Sequence, residues 1–156
     1  MTTQNRALAR KQLDQRLQAF AELKRTQPPM RGWIRAIRDA LGMTGEQLAR
    51  RIGVQKQRIV ALEKGEIAGT ATINSIKKAA EAMDCVFVYA LVPRDSLQAN
   101  VERQAMKYAE TMHATVQHSM VLEQQGLTAD ESRQGIEANA QRYARETVRD
   151  MWEVGS

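Results

Sequence analysis

Residues 44–66 read TGEQLARRIGVQKQRIVALEKGE, and their spacing decides the fold. Thr44 followed three residues later by Gln47 is the pattern that opens a helix with a capping box. Leu48, Ala49 and Ile52 then supply one apolar face. Gly53 ends that helix, because glycine takes a left-handed turn without steric cost. A second helix is expected from about Gln55 to Lys64, with Ile59 and Leu62 inward and Gly65 as its stop. Ala49 has to be small, since the second helix crosses closely there. Gln55, Lys56, Gln57 and Arg58 are left at the exposed start of the second helix.

The flanking sequence extends this pattern. Trp33, Ile34, Ile37 and Leu41 form the stripe of a preceding helix, and Gly42 sits where its C-terminus wants a left-handed residue. A following helix starts near Thr72 and carries Ile73, Ile76, Ala79, Ala80 and Met83. Residues 4–26 predict an amphipathic helix through Leu13, Leu17, Phe20 and Leu23, ended by Pro28–Pro29. Beyond Pro93 two longer helices are expected. Leu97, Val101, Ala105, Tyr108, Met112, Val116 and Met120 mark the first. Thr128 with Glu131 caps the second, which carries Ile136, Ala140, Tyr143, Val148 and Trp152.

Between these helical zones lies CVFVYALV, Cys85–Val92, rich in β-branched and aromatic residues and read as one short strand. No second strand-like segment exists to cover its edges. Pairing with the same strand of a second molecule is the simplest solution, so a homodimer is expected. A short segment buried against the helices is the other solution. The fold expected is mainly α: a five-helix core, one dimerising β-strand and a helical C-terminal extension. The boundaries are residues 1–30 for the N-terminal helix, 31–93 for the central domain and 94–156 for the extension.

Composition narrows the function. Lys and Arg outnumber Asp and Glu by 23 to 18 over 156 residues, which favours polyanionic partners. The single cysteine, Cys85, excludes a disulfide framework within the chain and fits a reducing cytoplasm. The first 20 residues are too polar for a signal peptide, and Cys85–Val92 is too short to span a bilayer. His113 and His118, the only histidines, stand five residues apart and do not share a helix face as a metal pair would. No cofactor loop, metal cluster or nucleophile–base arrangement supports an enzyme.

Helix, turn and helix with a basic, amide-rich second helix is the helix-turn-helix arrangement, whose second helix enters the major groove of double-stranded DNA. Lys and Arg suit guanine acceptors and Gln suits adenine. Gln55, Lys56, Gln57 and Arg58 are therefore the candidate base readers. Arg50, Arg51 and Lys64 are candidates for phosphate contact, and Thr44 joins the DNA-binding set. Leu48, Ala49, Gly53, Val54, Ile59, Leu62, Glu63 and Gly65 stand in the order of the lambda-repressor-like, or XRE, family, which residues 33–83 resemble. The function this implies is transcriptional repression.

The order of features across the chain also resembles the mobile mystery protein A family: the N-terminal helix, the block RGWIRAIRDALGMTGEQLARRIGV and the strand FVYALVP. That resemblance implies a Fic-domain adenylyltransferase toxin as partner, with this chain as its antitoxin. Fic antitoxins carry an inhibitory helix with Ser or Thr, three residues, Glu, then Gly or Asn. Ser119 and Glu123 match it, and Gln124 departs from it. The alternative is a regulator of a mobile element without a toxin, its C-terminal helices serving assembly alone.

Overall fold

The computed structural model describes residues 2–122 and 128–154, and among them the regular elements are all helices. The chain divides into two compact units, residues 22–90 and residues 1–21 with 91–156.

The first unit holds α2 (Trp33–Ala40), α3 (Gly45–Ile52), α4 (Lys56–Ala68) and α5 (Ile73–Ala82). Its core is Ile34, Leu48, Ala49, Ile59, Ala79 and Met83, ringed by Ile37, Ile52, Leu62 and Ile76. Leu48 and Ile59 are fully buried. The capping box forms as the spacing predicts: the Gln47 amide donates to Thr44 Oγ1, and the Thr44 amide donates to Gln47 Oε1 at 2.7 Å. Gly53 closes α3 in the left-handed region, at φ +82°.

Three expectations change here. Helix α4 does not stop at Gly65. It runs on to Ala68, and Gly69 at φ +73° is its cap. Gly65 is buried because the amides of Thr70 and Ala71 turn back onto its carbonyl at 2.8 and 3.0 Å. A Cβ there would press on Thr70 and Ala71. The core has four helices rather than five, because the first helix groups with the C-terminal ones. The strand over Cys85–Val92 is not formed among the described residues: after the Cys85 amide bonds Ala80 O, the segment has no regular structure. A strand exists only within a ladder, and no other segment among the described residues supplies one.

The second unit packs α6 (Leu97–Leu122) against α1 (Thr3–Leu17) and α7 (Ala129–Glu146). Val101, Ala105, Ala144 and Met151 are its core, with Tyr108 and Tyr143 edge to face at 5.0 Å beside them. The α6 stripe is covered only as far as Ala109; Met112 and Val116 lie exposed. Helix α7 ends at Glu146, where Thr147 turns left-handed. A 3₁₀ turn over Arg149–Glu153 then buries Met151 and leaves Trp152 exposed.

Helix α1 docks by its charged face. Asp14 accepts the Leu97 and Gln98 amides and so caps α6. Arg10 donates to Gln98 Oε1 and Thr147 Oγ1, and Arg6 to the Thr147 carbonyl. Leu8 and Leu13 stay exposed. The expected single helix over 4–26 ends at Leu17 and tightens into a 3₁₀ run, Gln18–Arg25.

Candidate nucleic-acid interface

The position of α4 is fixed by two carboxylates that reach α2. Glu66 accepts the Trp33 and Ile34 amides at 2.8 and 3.0 Å. These are orphan donors at a helix start, and Gly32 has no side chain to cap them. One turn earlier, Glu63 accepts Arg38 Nε at 2.7 Å, and both side chains are nearly buried. Arg38 also donates to the Met43 carbonyl at 2.8 Å, tying down the loop before α3. The Glu63 hydrogen bond pushes the Arg38 pKa up, and burial opposes it. With its inward face thus anchored by Ile59 and its acidic pair by α2, α4 presents the rest to solvent.

Gln55 is the N-cap residue of α4 with no side-chain cap bond, and Gln55, Lys56, Gln57 and Arg58 are all exposed. The structure brings these four together at one end of the helix. Lys64 lies two turns on from Lys56 along the same row. Thr44 and the arginines of α3 are placed differently. Thr44 is exposed, with its hydroxyl and amide engaged in the capping box. Arg50 lies 3.9 Å from Glu46, and Arg51 donates to the Ala82 carbonyl at the end of α5. Arg50 and Arg51 line a cleft with Leu41, Gly42, Met43 and Gln47, to which α4 contributes nothing.

Helix α4 is a ridge between two clefts. The row Lys56, Val60, Lys64 faces one, of about 240 Å³, whose far wall includes Arg31 and Arg35. The row Arg58, Ala61 faces the other, of about 440 Å³, whose far wall includes Thr70, Ser75 and Lys78. Gln57 lies on the crest between them. Sequence reasoning missed Arg31, Arg35, Ser75 and Lys78, because their approach to α4 is a tertiary matter. Glu63 and Glu66, three residues apart on one helix face, were the available signal for a polar anchor.

Charge is distributed unevenly. Residues 22–90 hold 12 Lys and Arg against 7 Asp and Glu, while residues 1–21 and 91–156 hold 11 of each. The whole surplus therefore sits in the unit that carries α4. Among the described residues, no three His, Cys, Asp or Glu side chains gather as metal ligands would, and no helix is long and apolar enough to cross a membrane. Ser119 falls within α6, where its side chain is not described, and Glu123 lies outside the described residues.

Comparison with known proteins agrees with this geometry. Residues 34–86 match the family described as Helix-turn-helix. An uncharacterized HTH-type transcriptional regulator of Methanothermobacter thermautotrophicus is 58% identical over 36 residues, which are 23% of this chain and 52% of that protein. The chain thus spans about half the length of that relative. No solved structure matches it. Residues 34–86 of this chain form a helix-turn-helix domain of the XRE type.

Proposed function

We propose that the protein is a sequence-specific DNA-binding transcriptional regulator, acting as a repressor in the cytoplasm. The observation that carries this is the exposed cluster Lys56, Gln57 and Arg58 at the start of α4, on the unit that holds the whole positive surplus. Such a helix start in the major groove reads guanine through Lys or Arg and adenine through Gln. Selection of bound duplexes from a random pool tests it: one sequence class should be enriched, and Gln57→Ala should relax the preference at one position within it.

The regulator is proposed to work as a homodimer joined through residues 85–92. Residues 86–92 make no hydrogen bond among the described residues, and Val86, Val88 and Leu91 are exposed. An antiparallel copy of the same segment would satisfy those groups by two-fold symmetry. Half-sites would then lie about 34–36 Å apart.

An antitoxin role is the second part of the proposal. The exposed Met112 and Val116 give α6 an apolar face one turn and more beyond its buried part. The resemblance to mobile mystery protein A implies a Fic-domain protein to cover it. In that reading Glu123, with Ser119, would pair with a toxin arginine that holds the ATP γ-phosphate. Co-expression with a neighbouring Fic-domain protein tests this. Glu123→Gly should leave a complex that assembles, binds DNA and transfers AMP. A variant complex as inactive as the wild type, beside an active free toxin, refutes the role of Glu123. The absence of any such partner leaves a stand-alone regulator.

A further inference from the structure

We infer that the cleft between α4 and α5 binds a small carboxylate with an apolar body, and that the bound ligand releases the protein from DNA. The effect on DNA rests on the reading of α4 as the helix that enters the major groove; occupancy of the cleft does not.

The two clefts beside α4 differ in kind. The one toward α2 is about 240 Å³, and the Arg38–Glu63 pair, at 2.7 Å, forms part of its wall. The one toward α5 is about 440 Å³, within the range of small-molecule sites. Its floor is apolar: Ile59 is buried there, with Ile52 and Leu62 half-buried beside it. Its rim is cationic, with Arg58 exposed on α4 and Lys78 exposed on α5. No carboxylate lines it, and neither cation has an ion pair among the described residues. The Thr72 and Ser75 hydroxyls lie 2.8 Å apart on the same rim. They share one hydrogen bond, so one of their two O–H groups stays available to donate.

Two unpaired cations and a spare hydroxyl above an apolar floor define the ligand. Its carboxylate pairs with Arg58 and Lys78 through charge-assisted hydrogen bonds. Its hydrocarbon body takes Ile52 and Leu62 out of water. A bare phosphate or sulfate leaves the floor wet, and a neutral hydrocarbon leaves both cations unpaired. Arg58 gives the site its consequence, because it belongs both to this cleft and to the exposed cluster at the start of α4. Held by a carboxylate, it no longer reaches a base edge. The ligand also brings negative charge to the face that meets the phosphates. Ligand and duplex therefore exclude one another.

The test uses the full chain with isotope-labelled Ile, Leu and Val methyl groups, titrated with sodium octanoate and with octanol, its neutral analogue. Octanoate should shift the Ile52, Val54, Ile59 and Leu62 methyls together, saturating by about 1 mM. Val60 and Ile67, exposed on α4 outside this cleft, should not move. Octanol should bind about tenfold more weakly. Lys78→Ala should weaken octanoate severalfold and leave octanol unchanged, while Lys77→Ala, outside the cleft, should change neither. At about ten times its own Kd, octanoate should weaken the selected duplex about elevenfold, against sodium acetate at equal concentration. No saturable shift, equal binding of octanol, or shifts that include Val60 and Ile67 overturn the site. Saturation of the cleft with duplex affinity unchanged overturns the release. If the wild type selects no duplex, the reading of α4 fails, and the methyl titration still decides the site.

Discussion

Gly32 and Glu66 compete for one place: a Cβ on Gly32 would stand 2.7 Å from Glu66 Oε2, the oxygen that accepts the Ile34 amide. Gly32 also has φ +77° and ψ 162°, a region reserved in practice for glycine. Gly32→Ala should therefore cost about 1–3 kcal/mol from backbone strain alone. Glu66→Ala should cost about 1–3 kcal/mol by leaving two amides of α2 without their partner. Because both changes disrupt one cap, the double variant should lose less than the sum. Urea melts of the four proteins measure this, and strict additivity would count against the shared cap.

The Arg38–Glu63 pair is the second fastening of α4. Removing Glu63 leaves the nearly buried Arg38 with Asp39, at 2.8 Å and half exposed, as its ion-pair partner, so Glu63→Ala should cost at most about 3–5 kcal/mol. Replacing both with Met and Leu should recover most of that loss. Glu63 raises the Arg38 pKa. A raised basic group contributes fully below its unfolded pKa and loses that contribution only as pH rises through the folded one. The Arg38 contribution should thus stay constant through the neutral range. A melt series from mildly acidic to mildly alkaline pH checks it.

At the start of α7 the sign is opposite. Hydrogen bonds from the Thr128 hydroxyl and amide hold the Glu131 carboxyl below its ordinary range. A depressed acid stabilises above its unfolded pKa and ceases to do so as pH falls through the folded value. Amide exchange in the first turn of α7 should speed up as pH drops below the ordinary glutamate range, after correction for intrinsic rates. Thr128→Ala, which keeps the backbone amide bond to Glu131, should weaken that dependence.

Residues 85–92 make a separate prediction. Val88→Pro removes a ladder donor and fixes φ, which a paired strand does not tolerate. Light scattering should give a dimer for the wild type and a monomer for the variant, with helicity retained. A wild-type chain that stays monomeric at tens of micromolar refutes pairing through this segment.

Local patterns carried much of this fold into view. Leu48, Ala49 and Ile59 are core because helical spacing places them inward. Thr44–Gln47 and Thr128–Glu131 cap because the partners are three residues apart. The sequence hid what depends on distant partners. Glu66 reaches amides more than thirty residues away. Arg6, Arg10 and Asp14 face the protein beside the half-buried Leu17 and Phe20, while Leu13 and Leu23 of the expected stripe are exposed. Gly65 looked like a stop because its role, to admit Thr70 and Ala71, comes from the chain folding back. The four candidate base readers were legible as a cluster; the clefts that flank them were not.

Whether the start of α4 reads base edges is decided by binding of the selected duplex by wild type, Lys56→Ala and Gln57→Ala, each set against a random duplex. Each variant should lose roughly 1–3 kcal/mol on the selected duplex and far less on the random one. Equal affinity of all three proteins for the selected duplex, or an equal loss on both duplexes, would contradict it.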